Sequence, residues 1–185
     1  MKTFLEEATR CLLHEGFGPA SVTKALEIVG RGLGVDRVYV FEDSTGVGGE
    51  RLTSQRFEWS AAGVQAQIDN PDLQNLPYSE IVPDWPEFFD RGDVIIGLTR
   101  EMPRRTREVL EAQQILSILV CPITVHGKCW GFVGFDDCMR EREWPSEDVR
   151  VLSALARSLS ASLRHHSMKR SLDDARAQLR ALLEA

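Results

Sequence analysis

The chain has 185 residues, 43% of them hydrophobic and 27% charged, with a formal net charge of −6. That length holds one domain with a full core and a helical extension, and the composition is too apolar for a disordered chain. The acidic balance argues against a phosphate-binding surface, and no apolar run approaches the roughly 20 residues needed to cross a bilayer.

The first residues, MKTFLEEATR, carry acids where a secretory leader would be apolar, so the expectation is a cytoplasmic protein with no membrane insertion. The four cysteines, Cys11, Cys121, Cys129 and Cys138, show none of the paired spacings of a zinc site and are expected to be free thiols.

Apolar residues recur at helical spacing from about 3 to 15, before Gly16 and Gly18. Ser21 is a candidate cap for a second helix, which Gly32 and Gly34 should break. Strands are predicted near 35–42 and 51–60, joined by the turn STGVGGE as an antiparallel hairpin. From about Ala61 to Arg91 there is no sustained period; Pro83 and Pro86 should interrupt short helices there, and the aromatic content suggests a binding loop or lid.

A short strand near 93–98 precedes a helix begun by Pro103 and running from Arg104 to Gln114. The strongest strands follow at 116–125 and 129–137, apolar on both faces and joined at His126 and Gly127. With a two-residue turn, Cys121 falls opposite Phe132 and Cys129 opposite Thr124, which puts these two cysteines on opposite faces.

From Ser146 to Ala185 there is no Gly or Pro, and one helix of about forty residues, roughly 60 Å long, is predicted. Its first half has a broad apolar stripe from Val149 to Leu163. Its second half narrows to Met168, Leu172, Ala175, Leu179 and Leu182, a heptad seam suited to a helical partner.

This element order resembles the GAF domain, a relative of the PAS fold. Local strings carry the resemblance further: Gln113 to Ile123 (QQILSILVCPI) and Trp130 to Asp137 (WGFVGFDD), followed by Arg142, Trp144 and Glu147. Phe57, Glu58 and Trp59, and Asp69, Asn70 and Pro71, also fit.

The resemblance implies an α/β (α+β) fold with a central antiparallel sheet of five or six strands, flanked by helices. It divides the chain into a domain over 1–165 and a coiled-coil extension over 166–185. It also implies a non-catalytic sensory module acting as a homodimer, with an output domain such as a histidine kinase or diguanylate cyclase in the full-length protein. The motifs of cyclic-nucleotide, bilin-binding and sulfoxide-reducing GAF proteins are incomplete here, so the small ligand and any cofactor are unknown, and no metal is expected.

The candidate pocket residues are Phe57, Trp59, Trp85, Phe88, Phe89, Ile118, Cys121, Phe132 and Asp136; the heptad seam is the candidate dimer interface. Bland roles compete with these. Asp136 and Asp137 read as caps of the loop after the last strand, Gly131 and Gly134 as relief where the final helix packs, and the cysteines as small core residues. Two other readings stand beside the sensor: a ligand-free dimerisation scaffold, and a small redox enzyme using Cys121 or Cys138.

Overall fold

The computed structural model describes residues 3–183. Two helices, α1 (Thr3–Glu15) and α2 (Pro19–Leu33), lead into the hairpin β1 (Arg37–Thr45) and β2 (Arg51–Ser60). A 3-10 turn (Pro71–Leu73), β3 (Leu76–Pro77), α3 (Tyr78–Ile81) and α4 (Trp85–Arg91) occupy the stretch that lacked periodicity. The chain then runs through β4 (Ile95–Leu98), α5 (Arg104–Ala112), β5 (Ser117–Val125), β6 (Lys128–Asp137) and α6 (Ser146–Leu183). Residues 184 and 185 of the predicted last helix lie outside the described residues.

The strands form one antiparallel sheet in the order β3-β2-β1-β6-β5-β4. The strongest sequence strands are central because they are covered on both faces. Val38, Val40, Leu119, Ile123, Val133 and Phe135 pack against α1, α2 and α6 on one face. Tyr39, Phe41, Ile118, Val120 and Phe132 point the other way, against α3, α4 and the end of α5. On α6, Leu152, Leu155 and Leu159 are fully buried, each contributing about 1.5–3 kcal/mol by leaving water.

Several local expectations are corrected. Ser21 does not cap α2: extended Gly18 occupies that position, Pro19 opens the helix, and the Ser21 hydroxyl binds back to Gly16 and Gly18. Gly32 lies inside the helix, where a Cβ would meet the Phe4 ring at 2.4 Å, so its smallness admits an aromatic and does not break the turn. Gly34 ends α2 with a left-handed φ of 63°.

Pro86 starts α4 from its first turn, as the missing N–H allows, and does not interrupt it. Pro103 stands just before α5 as its N-cap, and that helix stops at Ala112 because Gln113 and Gln114 leave helical geometry.

Two β-bulges change side-chain direction. Along β1 and β2 the register slips between Val40 and Phe41, leaving Arg56 unmatched. Along β5 and β6 it slips between Ile123 and Thr124, leaving Trp130 unmatched, so Cys121 lies opposite Val133 and Pro122 faces Phe132. An extra residue reverses the inward and outward alternation beyond it.

Candidate functional site

Between the sheet and the α3–α5 side lies a cavity of about 50 Å³. Its aromatic wall comes from alternate residues of β1 and β6: Phe41 stacks on Phe132 with centroids 4.8 Å apart and planes 9° from parallel. Trp85 closes edge-on against Phe132 at 5.8 Å. Leu73, Leu76, Ile81 and Val82 complete the roof, and Leu110 and Ile115 the side.

One end is polar and buried. Arg37 and Asp136 lie opposite each other on β1 and β6, each 2% exposed at its side chain, with Nη2 3.1 Å from Oδ2. Tyr39 donates its hydroxyl proton to the other Asp136 oxygen at 2.8 Å. Arg37 also donates to the carbonyls of Gln65 at 3.4 Å and Gln113 at 3.1 Å, tying the loop after β2 and the end of α5 to the sheet.

Burial pushes the Asp136 carboxyl up to about 6 despite the pull of Arg37 and Tyr39. For Arg37, burial opposes the charge but Asp136 offsets it, and the guanidinium sits above its ordinary value. The Tyr39 phenol, buried beside that carboxyl, is raised well above its usual range.

Glu58 forms the neighbouring anchor. Its oxygens accept from the Gln67 backbone N–H, the Gln55 amide and the Ser60 hydroxyl, which pins the 61–70 loop. At the opposite end Asp43 fastens the roof: Tyr78 donates to Oδ1 at 2.7 Å, and Arg51 bridges Oδ2 at 2.8 Å to Asp90 of α4 at 2.9 Å.

Asp136 and Asp137 are consecutive on β6 and point to opposite faces. Arg142 reaches Asp137 at 3.4 Å and Asp148, in the first turn of α6, at 2.7 Å. Its guanidinium also donates to the carbonyls of Leu33 and Gly34 at the end of α2. Neither acid caps a backbone N–H of the loop after β6, but Asp137 holds that loop through the side chains of Arg140, at 3.5 Å, and Arg142. Gly134 makes room on the cavity side, where a Cβ would fall 2.4 Å from the Tyr39 hydroxyl, and at Gly131 a Cβ would fall 2.0 Å from the Phe41 carbonyl oxygen. Both relieve crowding from β1, and neither is a seat for the final helix.

Among the nine candidate residues, Trp85, Phe132 and Asp136 line the cavity. Ile118 and Phe89 stand behind it in the same cluster. Phe57, Trp59 and Cys121 are corrected: they face the helices, because each bulge reverses the alternation that would have aimed them inward. Trp59 lies over Gly30, where a Cβ would come within 2.2 Å of its ring. Phe88 is also corrected; it stays at the surface with the Arg91 guanidinium 4.9 Å from its ring centre.

Arg37, Tyr39, Phe41, Gln55 and Glu58 were not among the candidates. An arginine alternating in phase with two aromatics in VDRVYVF was the available signal.

The thiols are poor nucleophiles. Burial raises Cys121, takes Cys129 up to about 11 and takes Cys138 up to about 12. Among the described residues no group of three or more His, Cys, Asp or Glu side chains is placed to hold a metal, and no helix is long and apolar enough to cross a membrane.

The methanogenesis regulatory histidine kinase FilI of Methanothrix harundinacea (strain 6Ac) is 39% identical over 158 residues, covering 85% of this chain and 18% of that protein. The chain thus spans under a fifth of the length of the curated relatives it matches. The phycocyanobilin-bound GAF domain from a cyanobacterial phytochrome shares the fold, with a TM-score of 0.72 at 17% identity over 90% of this chain and 95% of that one. The chromophore-binding domain of the bacteriophytochrome RpBphP3 from R. palustris aligns with a TM-score of 0.69 at 14% identity, over 91% of this chain and 60% of that one. The GAF domain family model matches residues 20–163, from the start of α2 to the middle of α6, and the chain belongs to the GAF domain family.

Proposed function

We propose that this GAF domain is a non-catalytic sensory module that takes a small molecule into the cavity beneath β3–α4 and relays its state through α6. The observation that carries this reading is the adjacency of Asp136 and Asp137: one closes the polar end of the cavity, and the next, through Arg142 and Asp148, holds the first turn of α6. A ligand that displaces Arg37 or Asp136 shifts β6 at the point where α6 is fastened. For such a relay the ligand must favour one of two arrangements by a few kcal/mol. The raised thiol pKa values favour this reading over a redox enzyme, since thiolate is the reactive form.

The output is a second copy and a domain beyond α6, such as a histidine kinase, the activity named for the relative in Methanothrix. Met168, Leu172, Leu179 and Leu182 are between 51% and 77% exposed along α6, and Ala175 shares their exposed face. Such a stripe is buried in a parallel dimer that extends the domain over 1–165 by the coiled coil of 166–185. Cytoplasmic location follows from coupling to such an output.

A chain truncated after Arg164 should keep its fold, because the core stripe of α6 ends near there, and should dimerise more weakly than the full chain. Sedimentation equilibrium decides it: two monomers at tens of micromolar, or two equal dimers, contradict the relay.

The smallness of the cavity favours a second reading, a scaffold that binds no ligand. Native mass spectrometry of freshly purified protein separates the two. A retained small molecule is expected for the sensor, and an empty dimer supports the scaffold.

A further inference from the structure

Three buried polar atoms on the cavity residues have no hydrogen-bond partner: Oγ1 of Thr53, beside the Tyr78 phenol at the roof end, and Nε of Arg37 and Oε1 of Gln55 at the polar end. The Gln55 amide is oriented by its own chemistry, because its nitrogen donates to Glu58 at 3.0 Å and only its oxygen is left to face elsewhere. Leaving aside the Thr53 hydroxyl near the roof, one unused donor and one unused acceptor thus belong to the polar end of the same small space. A buried polar atom without a hydrogen bond weakens the fold, so a ligand supplying both partners gains in affinity what those atoms otherwise lose.

The charges are already matched. Arg37 is paired with Asp136, and an anion arriving at Nε meets the fields of Asp136 and Glu58. A cation has no better place. Both Glu58 oxygens already accept two hydrogen bonds each, and the Asp136 oxygens are taken by Arg37 and Tyr39. A buried charge without a partner of its own is expensive, so the space selects against either sign. The remaining wall is flat and aromatic, with the Phe41–Phe132 stack on one side and Trp85 edge-on to it.

We infer that the cavity takes an uncharged planar ring carrying an amide-type N–H and C=O pair, with the N–H given to Gln55 and the C=O accepting from Arg37. This rests on the reading of the cavity as the ligand site. It also sets a size. A cavity of about 50 Å³ is well below the roughly 150 Å³ of a void that holds benzene, so even a single ring enters only as the roof fastened by Asp43 lifts, and a bilin needs a far larger opening.

The test uses four probes of similar shape: benzamide, benzoate, benzamidinium and toluene, added to the full chain. Binding is followed by the Trp85 indole N–H resonance, assigned with Trp85→Phe. Benzamide is expected to shift that resonance at millimolar concentration, and each of the other three to bind at least roughly tenfold more weakly, a difference of about 1.4 kcal/mol.

Benzoate or benzamidinium binding as tightly as benzamide overturns the uncharged class while leaving the pocket as a ligand site. Toluene matching benzamide overturns the role of the two polar atoms. No shift with any probe means that water alone satisfies those atoms, and overturns the inference whether or not native mass spectrometry finds a retained molecule.

Discussion

Replacing Arg37 with Met is expected to cost the fold about 3–5 kcal/mol at neutral pH, the usual result of stranding one member of a buried pair. The side chain is 2% exposed, and its loss leaves the buried Asp136 carboxyl without its cation and the Gln65 and Gln113 carbonyls without donors. The deficit should depend on pH. The Asp136 carboxyl is already raised to about 6 in the native protein, and without Arg37 it rises further.

A carboxyl whose folded pKa lies above its unfolded value of about 3.9 holds its proton more tightly in the fold. Its contribution is therefore most favourable below about pH 4 and is lost as the pH rises through the folded pKa. The Arg37→Met deficit should accordingly shrink on acidification from neutral toward about pH 4. Urea midpoints of both proteins across that range measure it. A variant with an unchanged neutral midpoint, or a deficit that grows in acid, contradicts the buried pair.

Phe132→Ala should cost a similar amount, about 3–5 kcal/mol, because it removes a ring around which the second core is assembled. Phe132 is 4% exposed, stacks on Phe41 and lies within 5.8 Å of Trp85 and 5.2 Å of Phe89. The void it leaves joins the existing cavity, so the variant should also gain affinity for apolar rings such as toluene.

Trp130→Ala sets the scale. Although larger, Trp130 is only half-buried at the bulge, packed edge-on to Phe17 at 5.9 Å, and its loss should cost clearly less. Denaturation midpoints in the reverse order would mean that the central strand faces the other way.

Much of this fold is legible in the sequence because local signals agree with burial. The strand at Arg51–Ser60 coincides with its predicted range, and the apolar runs of β5 and β6 mark the centre of the sheet. The first half of α6 shows its broad stripe because it lies on the sheet, and the second half shows a narrow seam because no other part of the described chain covers it.

The site was harder to read for a physical reason. Side-chain direction along a strand depends on counting by two, and a bulge of one residue reverses the count without altering composition. Trp130 is one such residue and Arg56 the other, so an uninterrupted count by two from either turn directs Cys121, Phe57 and Trp59 to the cavity face, opposite to where they lie. The polar wall was hidden differently. Arg37 and Asp136 are 99 residues apart and become partners only through the β1–β6 pairing, which no local pattern announces. Gln55 and Glu58 look like solvent-facing strand residues until the 61–70 loop folds over them.

If the cavity and α6 are coupled, the content of the cavity is felt at the start of α6. Amide hydrogen exchange, compared between protein as isolated and protein refolded from denaturant to strip any retained molecule, tests it directly. Exchange is expected to be faster after stripping both in the roof, residues 76–91, and in the first turns of α6 beyond Ser146. A change confined to the roof, or no change in either segment, would contradict it.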